Sequence, residues 1–351
     1  MKLSTFVLFA AAVALALTLV ACHAASLPNI GNTRSATAYR SSGVAVPPAL
    51  ETILSRRHAH VSQIHTAGWL SESASLGKNL MYVATAGGAV YIYSTVGQAQ
   101  QPIGVITSGV SSPEGLAVDA VGNLYVANSG NNTVTVYPPG QTSPSTTYSN
   151  GVSNPFGVAV GGDGRVYIAN ENTSNCYGSV TEYPKGSLNP DRTLTLSGRY
   201  AFDAALDTAG NLYVSWYDLT SYAISVYKYA PGSTHGTNLD LMLPKLVFPA
   251  FTLAFDNAGN LVLAVENGNN TLPPKYIAVF PPGSRNPSQK IEGGSLLDIV
   301  DGIAFPRRSS EVYYVTNANF YDWMKLTYPQ TLPRDVDVVA PTTGLALSPD
   351  V

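Results

Sequence analysis

The stretch 113–140, PEGLAVDAVGNLYVANSGNNTVTVYPPG, holds three short apolar runs, Leu116–Val118, Leu124–Ala127 and Val134–Tyr137, parted by Gly/Asn turns. The runs are too short and too closely spaced for helices. Alternation over a few residues between turn signals reads as an antiparallel meander of three strands. Such a unit cannot bury both of its faces alone, so it must stack against copies of itself.

The copies are present. Second strands are read at Met81–Thr85, Leu124–Asn128, Val166–Asn170, Leu212–Trp216, Leu261–Val265 and Tyr313–Asn317. First strands open at Leu116, Val158, Ala204, Leu253 and Ile303. None of comparable pattern precedes Met81, but Gly344–Leu347 copies Gly115–Val118. A period of about forty to fifty residues is that of a propeller blade. The expectation is all-β: a six-bladed β-propeller closed by its C-terminal strand, which leaves no free edge between the first and last blades. Trp69-Leu70 competes for the same inner place; if it takes it, the tail must pair elsewhere.

The turns repeat too. Asp119, Asp207 and Asp256 each stand two residues before a Gly-Asn pair, where a carboxylate caps the turn and Gly122, Gly210 or Gly259 takes positive φ. They are read as turn formers, not ligands. An aromatic ends each third strand, at Tyr93, Tyr137, Tyr183, Tyr229, Phe280 and Tyr328, a period that reads as packing between blades.

Of 351 residues, 12% are charged against 31 Gly, 24 Pro and 21 Tyr. That is about half the usual charged share and favours turns and strands. A net charge of -3 with no Lys/Arg run gives no footprint for nucleic acid. At the N-terminus, Lys2 precedes an apolar run from Leu3 to Val20 and then Ala21-Cys22. Leu19-Val20-Ala21-Cys22 resembles a bacterial lipobox, which implies cleavage before Cys22, its lipidation, and anchoring at the cell envelope. An ordinary secretory signal cut within Ala21–Ala25 is the alternative, giving a secreted protein. Residues 1–21 are thus read as a signal and 22–65 as a Ser/Ala/Thr-rich tether with room for one short helix within Pro48–Ile64, Leu50, Ile53 and Leu54 on one side. Residues 66–351 are read as the propeller. His58 and His60 lack further spaced ligands for a metal. With Cys22 acylated, Cys176 has no disulfide partner.

Leu124-Tyr-Val-Ala-Asn128 with its Gly-Asn lead, and Tyr314-Val-Thr-Asn317, resemble the repeats of NHL and YVTN-type propeller proteins over roughly residues 75–351. The resemblance implies the ring and leaves function open, because this fold hosts binding modules, lactonases and lyases. The amidating-lyase branch of the NHL propellers needs several inward histidines, and His235 is the only one within the blades.

In a meander, the start of the first strand, the end of the second and the start of the third share one face. The residues expected at that mouth of the channel are Glu114, Phe156, Phe202, Asp203, Phe251 and Asp301 from first strands. Asn128, Asn170, Trp216, Glu266 and Asn317 join them from second strands. Aromatics and amides in the nearby loops suit a small polar ligand, a saccharide or peptide, or a protein partner. The expected function is a binding or scaffold module. The alternative is a divalent-metal hydrolase: Glu114-Gly115 and Asp301-Gly302 resemble metal positions of the gluconolactonase family, which implies a divalent metal there, and carbonyl and carboxylate oxygens around a narrow axis suit a hard cation such as calcium. Asp203 or Glu266 would then be the base.

Overall fold

A computed structural model describes residues 67–96, 101–171, 177–218, 221, 223–243, 252–265, 276–292, 300, 302–307, 312–317, 322–327, 330–337 and 342–351. The signal, the tether, Cys22, Cys176, Phe251, Glu266 and Asp301 lie outside the described residues.

Among the described residues the strands form six antiparallel sheets, five of four strands and one of five. The first sheet contains β1 (Trp69–Leu70), β2 (Leu80–Thr85), β3 (Ala89–Ser94) and β4 (Gly104–Ile106), with a short helix α1 (Glu72–Ser75) between β1 and β2. The next two are β5 (Pro113–Val118), β6 (Leu124–Asn128), β7 (Thr133–Tyr137) and β8 (Thr146–Tyr148), then β9 (Pro155–Val160), β10 (Val166–Asn170), β11 (Ser179–Tyr183) and β12 (Arg192–Thr195). A longer one follows: β13 (Arg199–Leu206), β14 (Leu212–Asp218), β15 (Ile224–Tyr229) and β16 (Gly236–Asn238). The last two are β17 (Leu253–Phe255), β18 (Leu261–Val265), β19 (Tyr276–Phe280) and β20 (Gln289–Glu292), and β21 (Gly302–Ala304), β22 (Val312–Asn317), β23 (Asp322–Thr327) and β24 (Gln330–Asp337). Finally β25 (Thr342–Leu347) returns to the first sheet, whose order is β1-β4-β3-β2-β25.

Both candidates for the first sheet therefore find a place. The tail takes the inner position, Val83 opposite Leu345 and Tyr82 opposite Ala346. Trp69–Leu70 caps the outer edge against Gly104 and Val105. Ser348 and Asp350 lock the closure: Leu80 N–H donates to Ser348 Oγ at 2.9 Å, and Asn79 N–H to Asp350 at 2.9 Å. First strands touch in the cyclic order β25, β5, β9, β13, β17, β21 and back to β25. The architecture is an all-β propeller.

The Asp turns form as their chemistry requires. Asp119 Oδ1 accepts the N–H groups of Val121 and Asn123, and Asn123 Nδ2 donates to Oδ2 at 2.7 Å. Asp207 and Asp256 repeat the pattern, and Gly122, Gly210 and Gly259 have φ of 94°, 78° and 79°. Of the third-strand aromatics, Tyr328 lies outside the described residues, and Tyr93, Tyr137, Tyr183, Tyr229 and Phe280 are buried. Each contributes about 2–3 kcal/mol by burial, and Tyr137 and Tyr183 also donate their hydroxyls to the carbonyls of Ser108 and Asn150. The densest charge cluster among the described residues, Glu182 with Arg165, Arg192 and Asp191, ties the outer strands of one sheet, Arg165 reaching Glu182 at 2.5 Å and Asp191 at 3.1 Å.

Candidate functional site

Several first strands begin earlier than their apolar runs suggest, because a bulge carries the ladder past the residue pair at the channel. The register shifts between Pro113 and Leu116, between Ala201 and Asp203, and opposite Ala169/Asn170 and Ala84/Thr85. A bulge bends the strand and turns backbone groups out of the ladder. Here it brings neighbouring first strands into close backbone contact. A Cβ on Gly344 would stand 2.1 Å from the Glu114 carbonyl oxygen, and one on Gly115 2.6 Å from that of Phe156. Glycine is required at both places by the neighbour, not by its own φ.

The same level holds an axial cavity of about 80 Å³. Phe156, Phe202, Asp203, Thr252, Thr343 and the bulge glycines line it, with Leu116, Val158, Ile303 and Leu345 deeper in the first strands. Phe156 and Phe202 meet edge to face with centroids 5.1 Å apart, and Tyr217 packs on Phe202 at 5.8 Å. Of the expected mouth residues, the structure thus brings Phe156, Phe202 and Asp203 together at the axis.

The second-strand residues are employed differently. Asn128 is fully buried; its Oδ1 accepts Ser111 N–H at 3.0 Å, while Nδ2 donates to Val126 O at 3.1 Å and Thr135 Oγ1 at 2.9 Å. Asn170 repeats this with Ser153, Ser179 and Thr181. Each amide staples the loop before its sheet to the third strand. Trp216 holds the equivalent position in the next sheet and fills it with carbon, packed among Ala169, Val180, Val214 and Tyr229. Asn317 ends β22.

Asp203 is the singular residue. Where β5, β9, β21 and β25 carry Gly at the start of the apolar run, β13 carries an aspartate. Ser215 stitches the bulge, its hydroxyl accepting Asp203 N–H at 3.0 Å. The carboxylate lies along the ring: Oδ1 accepts Ala204 N–H at 2.8 Å, and Oδ2 accepts Leu253 N–H of the next first strand at 2.9 Å with Thr252 Oγ1 at 3.4 Å. Enclosed by the ring, Asp203 keeps part of its surface on the cavity. Desolvation pushes its carboxyl up to about 7, against the opposing pull of the Leu253 and Ala204 N–H groups and the Thr252 hydroxyl. A carboxyl in that range exchanges its proton near neutrality.

Of the proposed metal pair Glu114 and Asp301, Asp301 lies outside the described residues, and the surroundings of Glu114 do not suit calcium. Glu114 is buried with Oε1 3.4 Å from Ser129 Oγ. The next two sheets place the Phe156 and Phe202 rings at the matching positions, offering carbon where calcium takes six to eight oxygens. Among the described residues no group of three or more His, Cys, Asp or Glu is arranged to hold a metal.

Comparison with known proteins bears on the fold. A family model described as NHL repeat matches residues 111–137. No curated protein matches the chain. Among solved structures, hydrazine synthase of Kuenenia stuttgartiensis is similar with a TM-score of 0.55 at 14% identity, over 80% of this chain and 88% of that one. A protein of unknown function from Bacteroides caccae also gives a TM-score of 0.55, at 10% identity, over 77% of this chain and 98% of that one. At such identities the likeness concerns the fold alone, and the chain is a β-propeller carrying an NHL repeat at residues 111–137.

Proposed function

We propose that this protein is an exported, lipid-anchored binding module of the bacterial cell envelope, with all six sheets serving as blades of one ring. The observation that carries the binding reading is the size of the axial cavity. At about 80 Å³ it is well below the roughly 300–1,000 Å³ of pockets that enclose a drug-sized ligand. A saccharide, peptide or protein partner is therefore recognised on a face of the ring, and the axis holds the scaffold together. The lipobox-like Leu19–Cys22 supports the address, with Cys22 as the lipidated residue and residues 22–65 as the tether.

Exposed side chains report on both faces. Tyr177 lies on the face bearing the second-to-third strand loops, and Val121, Leu188 and Met242, whose N–H donates to the Arg285 carbonyl of a third-to-fourth strand loop, lie on the opposite face. A photo-crosslinking residue placed at each of the four in living cells is expected to yield a discrete adduct from one face only. Absence of any adduct, with the protein folded and retained in the membrane fraction through Cys22, would remove the binding reading. Release of the Cys22→Ala variant from the membrane fraction is expected; its retention would remove the lipid anchor.

A further inference from the structure

We propose that the axial cavity is a binding site for a short primary alkylammonium ion, with the Asp203 carboxylate as its counter-ion. This stands independently of where the protein resides and of what its faces bind. Among the described residues Asp203 is the acidic side chain on the cavity wall, and it occupies a place where four other first strands carry glycine. Each carboxylate oxygen accepts one short backbone N–H bond, from Ala204 and from Leu253. Two such oxygens offer about four lone-pair sites, so acceptor capacity remains. No Lys, Arg or His among the described residues pairs with Asp203. Among the described residues, the groups packed on it from neighbouring strands are Gly157 of β9, Ser215 of β14, and Thr252 and Leu253 at β17, none of which titrates.

The rest of the lining selects the kind of cation. Phe156, Phe202, Leu116, Val158, Ile303 and Leu345 present carbon. A calcium or magnesium ion would lack oxygens there, and an alkali ion would have to shed most of its hydration shell onto carbon. An ammonium head donates N–H bonds to the carboxylate, while a short alkyl group displaces water from the apolar wall and the Phe rings stabilise the charge. The volume admits only a few heavy atoms. A carboxylate enclosed with no cation holds its proton more tightly, as the upward displacement of the Asp203 carboxyl records, and the ligand takes the place of that proton.

The test uses the purified protein at pH 8 and constant ionic strength, with methylammonium, tetramethylammonium and potassium chlorides. Methylammonium at about ten times its Kd is expected to raise Tm by about 2 °C, with no rise from tetramethylammonium or potassium, and none from any salt in Asp203→Asn. An equal rise in Asp203→Asn, an equal rise with potassium, or no rise at all overturns the proposal. Because Asp203→Asn can fail to fold, the Asp203 carboxyl carbon of the parent is also followed by NMR. Its acid dissociation constant is expected to increase about tenfold at that ligand excess, and an unchanged titration overturns the proposal independently of any variant.

Discussion

Oδ1 of Asp203 stands 2.5 Å from where a Cβ on Gly157 would project, so the carboxylate of one first strand occupies the space that a side chain on its neighbour would need. Gly157→Ala is expected to lose about 1–3 kcal/mol in denaturant unfolding through forced displacement. Adding Asp203→Gly should recover only part of that, because Asp203 Cα at 2.7 Å and Phe202 O at 2.8 Å remain in the way. Full recovery would show that the backbones there are free to part.

The same carboxyl sets a pH dependence. Its folded value, about 7, lies above the ordinary 3.8, so between those values the folded state binds the extra proton. Its contribution to stability is complete below about pH 4 and is lost as pH rises through 7, by at most about 4 kcal/mol and less where the cavity admits water. Asp207 acts in the opposite sense. Burial raises its carboxyl, but hydrogen bonds from Asn211 and Ala209 and the charge of Lys228 outweigh it, so its contribution is lost as pH falls. Asp203→Asn should therefore flatten the loss of Tm between pH 4 and 7 while leaving the acid limb in place. An unchanged profile would mean that Asp203 is ionised throughout.

The closing seam should be brittle. Thr343 Oγ1 donates to Pro113 O at 2.5 Å, both buried, and Thr343→Val should lose about 1–3 kcal/mol by orphaning that carbonyl. Gly344→Ala forces a Cβ onto backbone and should cost more. Calorimetry in which Gly344→Ala is as stable as the parent would contradict the packing at this seam.

Asn128 offers a direct contrast between scaffold and ligand contact. Asn128→Ala should lose about 2–3 kcal/mol, since the Ser111 N–H and the Thr135 hydroxyl lose a buried partner. Loss of ligand binding with stability intact would instead return Asn128 to the recognition surface.

Calcium addition or chelation should leave Tm unchanged. A calcium-induced rise abolished in Glu114→Ala would reverse the conclusion drawn from the Phe156 and Phe202 rings.

Repetition made the ring legible. Asp119, Gly122 and Asn123 encode a turn through local chemistry, and Gly344–Leu347 betrays the closing strand because it copies Gly115–Val118. Trp69–Leu70 was ambiguous since two residues carry no period, and only the neighbouring Gly104–Val105 edge decides its place. At the channel the residue types were readable and their directions were not. Asn128 and Phe156 both belong to the level of the mouth, yet the bulge and the third-strand threonines draw the amide into the sheet while the ring faces the axis. Asp203 was visible as a departure from glycine. Its shared bond to Leu253 of the following sheet depends on how two sheets meet, which no local pattern records.

The pairing of β2 with β25 also fixes the order of events in folding. Leu80 and Ser348 are 268 residues apart and hydrogen-bonded, so the first sheet made is the last one completed. Contacts of such sequence separation form slowly. Until residue 347 has emerged, the inner edge of β2 is an open template, and a chain stalled or cut before that point exposes it to its neighbours. Between the making of the second strand and the arrival of the last, that edge stays open to pairing with another chain.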